Sequence, residues 1–172
     1  PFDEESVDFL SKFKVPAFKI ASFENNHFPL IEKVISTKKP VIISLGATTY
    51  NEIIYLYKFL KNKKFNNFAF LQCTSSYPAK IEESNVKTII DLRKKFKIEI
   101  GLSDHTPGIG AAISAISYGA SIIEKHFTLD KTAGGLDDIF SMDPDDFNLL
   151  VKESKNAWSS LGKTYYGLTK SE

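Results

Sequence analysis

Long apolar runs are missing from this chain; none approaches the roughly 18–20 residues that a bilayer-spanning helix requires. Its one cysteine, Cys73, has no second thiol with which to form an internal disulfide, which fits a reducing compartment. Charge of one sign is missing as well. The 22 Lys+Arg against 21 Asp+Glu leave a formal net charge of +1, so there is neither a basic footprint for nucleic acid nor an acidic solvating tail. No charged stretch leading into an apolar segment reads as a secretion signal. The default expectation is a cytoplasmic protein with no membrane or nucleic-acid partner. The chain also lacks an initiator Met: it opens at Pro1-Phe2-Asp3 and its pattern starts mid-rhythm, as expected of a piece of a longer protein. What is present, 42% hydrophobic and 25% charged side chains, is the composition of a globular domain.

Five short β-prone runs stand out: Ala17–Ser22, Pro40–Leu45, Phe68–Cys73, Lys97–Leu102 and Ser121–Phe127. Their starts lie 23 to 29 residues apart, with helical patterns between them. Ile53, Leu56, Tyr57 and Leu60 form an apolar stripe at helical spacing. Thr49 followed by Glu52 reads as a capping box at the start of that helix. Gly119 falls where the helix after Pro107 should stop, and Asp143-Pro144 suits the start of the last one. Pro16 and Pro40 stand at strand starts, where a missing N–H does least harm. Strand and helix alternating at this period mean repeated βα units and a parallel sheet. No strand leads into a Gly-x-Gly-x-x-Gly turn, so the dinucleotide-binding version has no support.

Polarity within the strands separates an open sheet from a barrel. An open parallel sheet packs helices on both faces and its strands read almost purely apolar. Here Ile98, Ile100 and Leu102 alternate with Glu99, Gly101, Ser103 and His105; Ile122, Glu124 and His126 share a face; and Lys19 sits mid-strand. Such charges are almost never buried without partners. A barrel lumen, filled by inward side chains, gives them a place to meet. The expected fold is therefore α/β, part of a (β/α)8 barrel.

Barrels carry their chemistry at the C-terminal ends of the strands. Those ends read Ser22-Phe23-Glu24-Asn25-Asn26, Ser44-Leu45-Gly46, Thr74-Ser75-Ser76-Tyr77, Ser103-Asp104-His105-Thr106 and His126-Phe127-Thr128, a ring suited to a small, polar, anionic substrate. His27, in a loop before Pro29, is read as an ordinary surface or hydrogen-bonded histidine. His105 and His126 differ, because neighbouring strands both end in histidine and neighbouring strands lie roughly 5 Å apart. Two imidazoles joined by carboxylate or water suit a borderline divalent metal such as manganese or zinc. Lys19 with Ser22, Ser44 and Ser103 reads as a clamp on a phosphate or carboxylate. Lys19 also has a plainer role, neutralising Glu99 or Glu124, and Glu24 has one as a carboxylate near a helix N-terminus. Lys19 or Lys125 as a Schiff-base nucleophile stays open as a rival, although Lys125 is expected to face the helices.

The segments Lys19–Glu24 (KIASFE), Gly101–Thr106 (GLSDHT), Ile123–Asp130 (IEKHFTLD) and Gly134–Phe147 (GGLDDIFSMDPDDF) together resemble the sialic acid synthase family, which includes the N-acetylneuraminate and pseudaminic acid synthases. The resemblance covers essentially the whole chain. It implies a TIM barrel, the (β/α)8 fold, followed by a small antifreeze-like domain. The chain would then be strands four to eight with their helices, residues 1–172 lacking the first three βα units and that domain. It further implies condensation of phosphoenolpyruvate with an N-acylated amino sugar to a nine-carbon 2-keto acid, with release of phosphate. Phe23, the double glycine and Phe140-Ser141 look more like pseudaminic acid synthases than the N-acetylneuraminate or legionaminate branches.

By the same resemblance, Lys19, Ser22, Ser44 and Ser103 match phosphoenolpyruvate contacts, and His105 and His126 match metal ligands for manganese or magnesium. Glu24 matches a carboxylate near the reacting carbons; Tyr77 and Asp137 match residues lining the sugar side. Leu45, Ala47 and Leu136 depart from the family pattern. A homodimer is implied for the full-length protein. A reading from another class remains beside this one: a truncated, non-catalytic remnant that binds a sugar or anion.

Overall fold

The computed structural model describes residues 1–172. Strands β1 (Phe18–Ile20), β2 (Val41–Ser44), β3 (Phe68–Cys73), β4 (Glu99–Asp104) and β5 (Ile123–Lys125) pair in sequence order, all parallel, as a half-barrel. Helices α1 (Glu4–Ser11), α2 (Phe28–Ser36), α3 (Tyr50–Asn62), α4 (Thr88–Phe96), α5 (Gly110–Ser117) and α6 (Pro144–Leu161) alternate with the strands. No helix is long and apolar enough to cross a membrane.

One face of the sheet makes the core. Phe18, Ile20, Val41, Ile43, Phe68, Phe70, Ile100 and Leu102 are buried in a single cluster with Leu30, Ile31, Val34, Leu56, Leu60, Ile89 and Leu92 from the helices. Burying each such side chain contributes about 1.5–3 kcal/mol against the entropy of ordering it. Residues of the opposite parity, among them Lys19, Ser44, Leu71, Cys73, Ser103 and Glu124, line the concave face.

The helix signals read from the sequence are present. Glu52 N–H donates to Thr49 Oγ1 at 3.4 Å, and Thr49 N–H donates back to Glu52 Oε2 at 2.7 Å. Asp146 N–H donates to Asp143 Oδ1 at 2.9 Å at the start of α6, and Gly119 takes φ +89° just after α5. Removing the α3 cap with Thr49→Ala is expected to lower stability by about 1 kcal/mol, read as a lower urea midpoint at unchanged slope.

Two expectations need correcting. The fourth strand runs Glu99–Asp104, not Lys97–Leu102. Lys97 ends α4 in a left-handed turn (φ +54°), which delays the extended backbone, and pairing with β5 carries the strand on through Asp104. Glu99 is not a lumen charge. It sits exposed at the strand start, 3.1 Å from Arg93 of α4, and Lys19 finds its partner elsewhere.

Candidate active site

The strand ends bring two groups of polar side chains onto the concave face. In the first, Glu124 of β5 accepts the Ser103 hydroxyl of β4 at 2.8 Å and lies 3.2 Å from Lys19 Nζ of β1. The three strands thus converge on one carboxylate from opposite edges of the sheet. Nearby, Ser22 Oγ, on the short 3-10 turn after β1, accepts Gly46 N–H at 3.0 Å and donates to Cys73 Sγ at 3.4 Å. Gly46 is required here: a Cβ would fall 2.1 Å from Ser75 Oγ and 2.7 Å from Ser22 Oγ. Burial pushes the Cys73 thiol up, but hydrogen bonds to His105, Ser22 and Ser75 outweigh it and bring it down to about 7. Ser44 Oγ and Glu24 Oε2 are buried without any hydrogen-bond partner. An orphaned buried oxygen is costly in a folded protein, so each of these two calls for a partner from outside the chain, water or ligand.

The second group surrounds the two histidines. Their rings lie 5.2 Å apart, centre to centre, at 68°. His105 Nδ1–H donates to the Thr74 carbonyl at 2.9 Å, leaving Nε2 as its acceptor nitrogen. Asp137 Oδ2 faces His126 Nδ1 at 3.4 Å. Burial, then the neighbouring His105, holds His126 below its usual imidazole value, whereas at His105 burial pulls the same way but hydrogen bonds to Cys73 and the Thr74 carbonyl outweigh it and hold that ring above its own. Tyr77 covers the pair, 4.2 Å from the His105 ring and 5.7 Å from His126, and Phe140 lies 5.1 Å from His126.

This donor set fits a cation. Two imidazoles that share an ion through nitrogens about 2.1 Å from it place their ring centres roughly 5 Å apart. Each Nδ1 already faces a carbonyl or carboxylate, the arrangement that orients ligating histidines. No group of three or more His, Cys, Asp or Glu side chains is arranged to hold a metal, so these two nitrogens are what the chain itself offers, and water or substrate oxygens would complete the shell.

Lys125 lies on the other face. Its ammonium is buried on Asp104 Oδ2 at 3.1 Å and on the carbonyls of Thr106 and Gly108, which occupies its three donors and removes it as a candidate nucleophile. His27 starts α2 without capping it and joins neither group.

A model of the NeuB family matches residues 1–166. The chain belongs to the NeuB family. Among relatives of this NeuB chain, the pseudaminic acid synthase of Campylobacter jejuni is 43% identical over 162 residues, covering 94% of this chain and 47% of that protein. The N,N'-diacetyllegionaminic acid synthase of the same organism is 38% identical over 100% of this chain and 52% of its own length. The NeuB chain therefore spans about half the length of the curated relatives it matches. Among solved structures, the N-acetylneuraminic acid synthetase of Leptospira borgpetersenii, in complex with citrate, superposes with a TM-score of 0.92 at 34% identity, covering 99% of this chain and 60% of that one. A truncated 3-deoxy-D-arabino-heptulosonate 7-phosphate synthase from Thermotoga maritima shares the fold at a TM-score of 0.79 and 20% identity.

Of the residues singled out from the sequence, Lys19 and Ser103 meet on Glu124, Ser22 joins Gly46 and Cys73, and His105, His126, Tyr77 and Asp137 form the second group. Ser44 and Glu24 are the two orphaned oxygens. Glu124, Cys73 and Phe140 were not singled out as site residues. Parity gave the signal for the first two: Glu124 lies two residues before His126, and Cys73 lies two after Leu71. Phe140 lies on a long connection with no periodicity to read.

Proposed function

We propose that this NeuB chain carries the larger part of the catalytic lumen of an enzyme that condenses phosphoenolpyruvate with an N-acylated amino sugar to a nine-carbon 2-keto sugar acid. The observation that carries the reading is the pair of imidazoles, His105 held at Nδ1 by the Thr74 carbonyl and His126 facing Asp137, beside a lysine-serine cluster containing an orphaned hydroxyl. The five strands are the fourth to eighth of an eight-stranded barrel, in keeping with the half-length match to the relatives. The sugar is of the pseudaminic type. What supports this choice is Phe23, the double glycine and Phe140-Ser141, together with 43% identity to the Campylobacter jejuni pseudaminic acid synthase, beside 39% to that of Helicobacter pylori and 38% to a legionaminic and a human N-acetylneuraminate-9-phosphate synthase.

Each side chain then has a task. Lys19, with the hydroxyls of Ser22, Ser44 and Ser103, holds the phosphate and carboxylate of phosphoenolpyruvate, and Ser44 gains the partner it lacks. Glu124 fixes the Lys19 ammonium and the Ser103 hydroxyl in place. Tyr77 and Asp137 line the sugar side. A divalent ion, manganese or magnesium, held by His105 and His126, supplies Lewis-acid polarisation of the open-chain sugar's aldehyde oxygen when bound. Carbon three of phosphoenolpyruvate uses its C=C electron pair to bond to the aldehyde carbon, whose oxygen takes up a proton to become a hydroxyl. Water adds at the electron-poor carbon two, and the C2–O bond then breaks with its electrons and bridging oxygen leaving on phosphate as the added hydroxyl loses its proton and becomes the 2-keto group. Glu24, with its free oxygen, takes up the proton that the added water releases. Holding both reactants together supplies much of the acceleration.

Phosphoenolpyruvate, Mn²⁺ and a panel of N-acylated amino sugars, given to the protein expressed from its complete gene, are expected to yield phosphate and a 2-keto acid in equal amounts. Absence of both with every sugar would refute the reading. Lys19→Met should raise the KM for phosphoenolpyruvate about 10–100-fold, the worth of one charge-assisted hydrogen bond, with a smaller change in kcat. An unchanged KM would place the anion elsewhere.

A further inference from the structure

β4 and β5 end in the same two-residue pattern, a charged residue followed by a histidine: Asp104-His105 and Lys125-His126. Side chains alternate across a strand, so each pair sends its charge to the helix side and its imidazole to the lumen. The strand register sets Asp104 directly beside Lys125. Their side chains, 1% and 2% exposed, meet at 3.1 Å. Besides Asp104 Oδ2, the Lys125 ammonium donates to the Thr106 carbonyl at 2.5 Å and to the Gly108 carbonyl at 3.0 Å. Asp104 Oδ1 accepts the Thr106 N–H at 2.9 Å and its hydroxyl at 2.8 Å. Every donor and both oxygens of the pair are filled.

Such a buried pair adds little net stability, because desolvation offsets most of the attraction. Its consequence is geometric. The bonds reach Asp104 on one side of His105 and Thr106 and Gly108 on the other, and tie all three to the residue that precedes His126. The backbone on either side of the first imidazole is thereby locked to the strand that carries the second. With this lock closed, His105 reaches the Thr74 carbonyl and the two rings stand 5.2 Å apart.

We propose that Asp104 and Lys125 are positioning residues that hold the imidazoles of His105 and His126 in register for one divalent cation. The proposal rests on the reading of those histidines as a metal site. The test uses the protein expressed from its complete gene, labelled with 15N-histidine, and Mn²⁺ as the probe. The double variant Asp104→Leu with Lys125→Met replaces the pair by apolar groups of similar size, an exchange that folded proteins often tolerate. It is expected to unfold cooperatively, to shift the imidazole 15N signals of His105 and His126 in the metal-free state, and to raise the Kd for Mn²⁺ about 10–100-fold. Asp104→Asn, which keeps the shape and the bonds to Thr106, should move both readouts in the same direction and serves if the double variant does not fold. Imidazole signals and Mn²⁺ affinity equal to wild type in a folded variant would overturn the proposal. A wild-type protein that binds no Mn²⁺ would overturn the metal reading alone; shifted imidazole signals in the metal-free variant would still support the positioning role.

Discussion

His105→Ala is expected to lower turnover of the protein expressed from its complete gene by more than about 100-fold and to weaken Mn²⁺ binding at least as much. Partners that merely orient a ligating histidine are worth about 10–100-fold, so removing the ligand itself exceeds that range. The loss has several parts in this fold. The nitrogen opposite His126 disappears, the contact with the Thr74 carbonyl goes unmade, and the Tyr77 ring, 4.2 Å from the imidazole, loses the surface it packs on. Cys73 also loses the first of the hydrogen bonds that bring its thiol down to about 7, so its reactivity toward alkylating reagents near neutral pH should fall. His126→Ala should match the loss in turnover while leaving Cys73 unchanged, since His126 does not touch it. His27→Ala, at the start of α2, should alter neither. Full activity in His105→Ala would remove the imidazole pair from the chemistry.

The second large effect is on folding. Gly101 lies in the middle of β4, where a Cβ would meet the Ile122 carbonyl oxygen at 2.3 Å, Leu71 Cδ2 at 2.6 Å and Ile122 Cβ at 2.8 Å. Carbon and oxygen that are not bonded keep about 3.3 Å or more apart, so Gly101→Ala must push the backbone before β5 away by roughly 1 Å. That movement breaks the two bonds that dock the segment leading into β5, Leu102 N–H to the Ile122 carbonyl at 2.9 Å and Ser121 N–H to the Ile100 carbonyl at 3.0 Å. Two lost bonds at about 1 kcal/mol each and the strain of overpacking give about 3–5 kcal/mol, a large share of a typical stability of about 5–15 kcal/mol. Urea unfolding should show the midpoint fall accordingly. A loss under about 1 kcal/mol would mean that the two strands separate more easily than their packing implies.

Much of this was legible in the sequence because parallel βα units leave strong local marks. Phe68–Cys73 matches its strand to the residue, since five apolar side chains, interrupted only by Gln72, stand between turn-forming neighbours. The Thr49–Glu52 and Asp143–Asp146 caps were readable because a cap is a short-range interaction. The end of α4 was not. Lys97 occupies a left-handed position that usually calls for glycine, as do Lys14 and Lys38 beyond α1 and α2, and a lysine gives no such warning. The strand therefore begins two residues later than its β-prone run, and Glu99, which alternation sets among the lumen residues, stands at its exposed first position instead.

For the site, parity along a strand told which residues share a face but not which partner each would meet. It placed Lys19 and Glu124 on the concave side, whereas their 3.2 Å contact depends on how far the sheet curls between β1 and β5. The Asp104–Lys125 lock is half visible in the sequence: alternation sends Lys125 to the helix side, but two of its three acceptors, the Thr106 and Gly108 carbonyls, come from the segment after β4, whose path depends on the fold. Phe140, beside His126, comes from a connection shaped by tertiary contacts alone.

Crystals of the protein expressed from its complete gene, grown with Mn²⁺ and measured at the manganese absorption edge, give the most direct test. The expected result is one anomalous peak about 2 Å from a ring nitrogen of both His105 and His126. A map with no peak between those two rings, or a peak bound by only one of them, would contradict the shared cation on which the proposed chemistry depends.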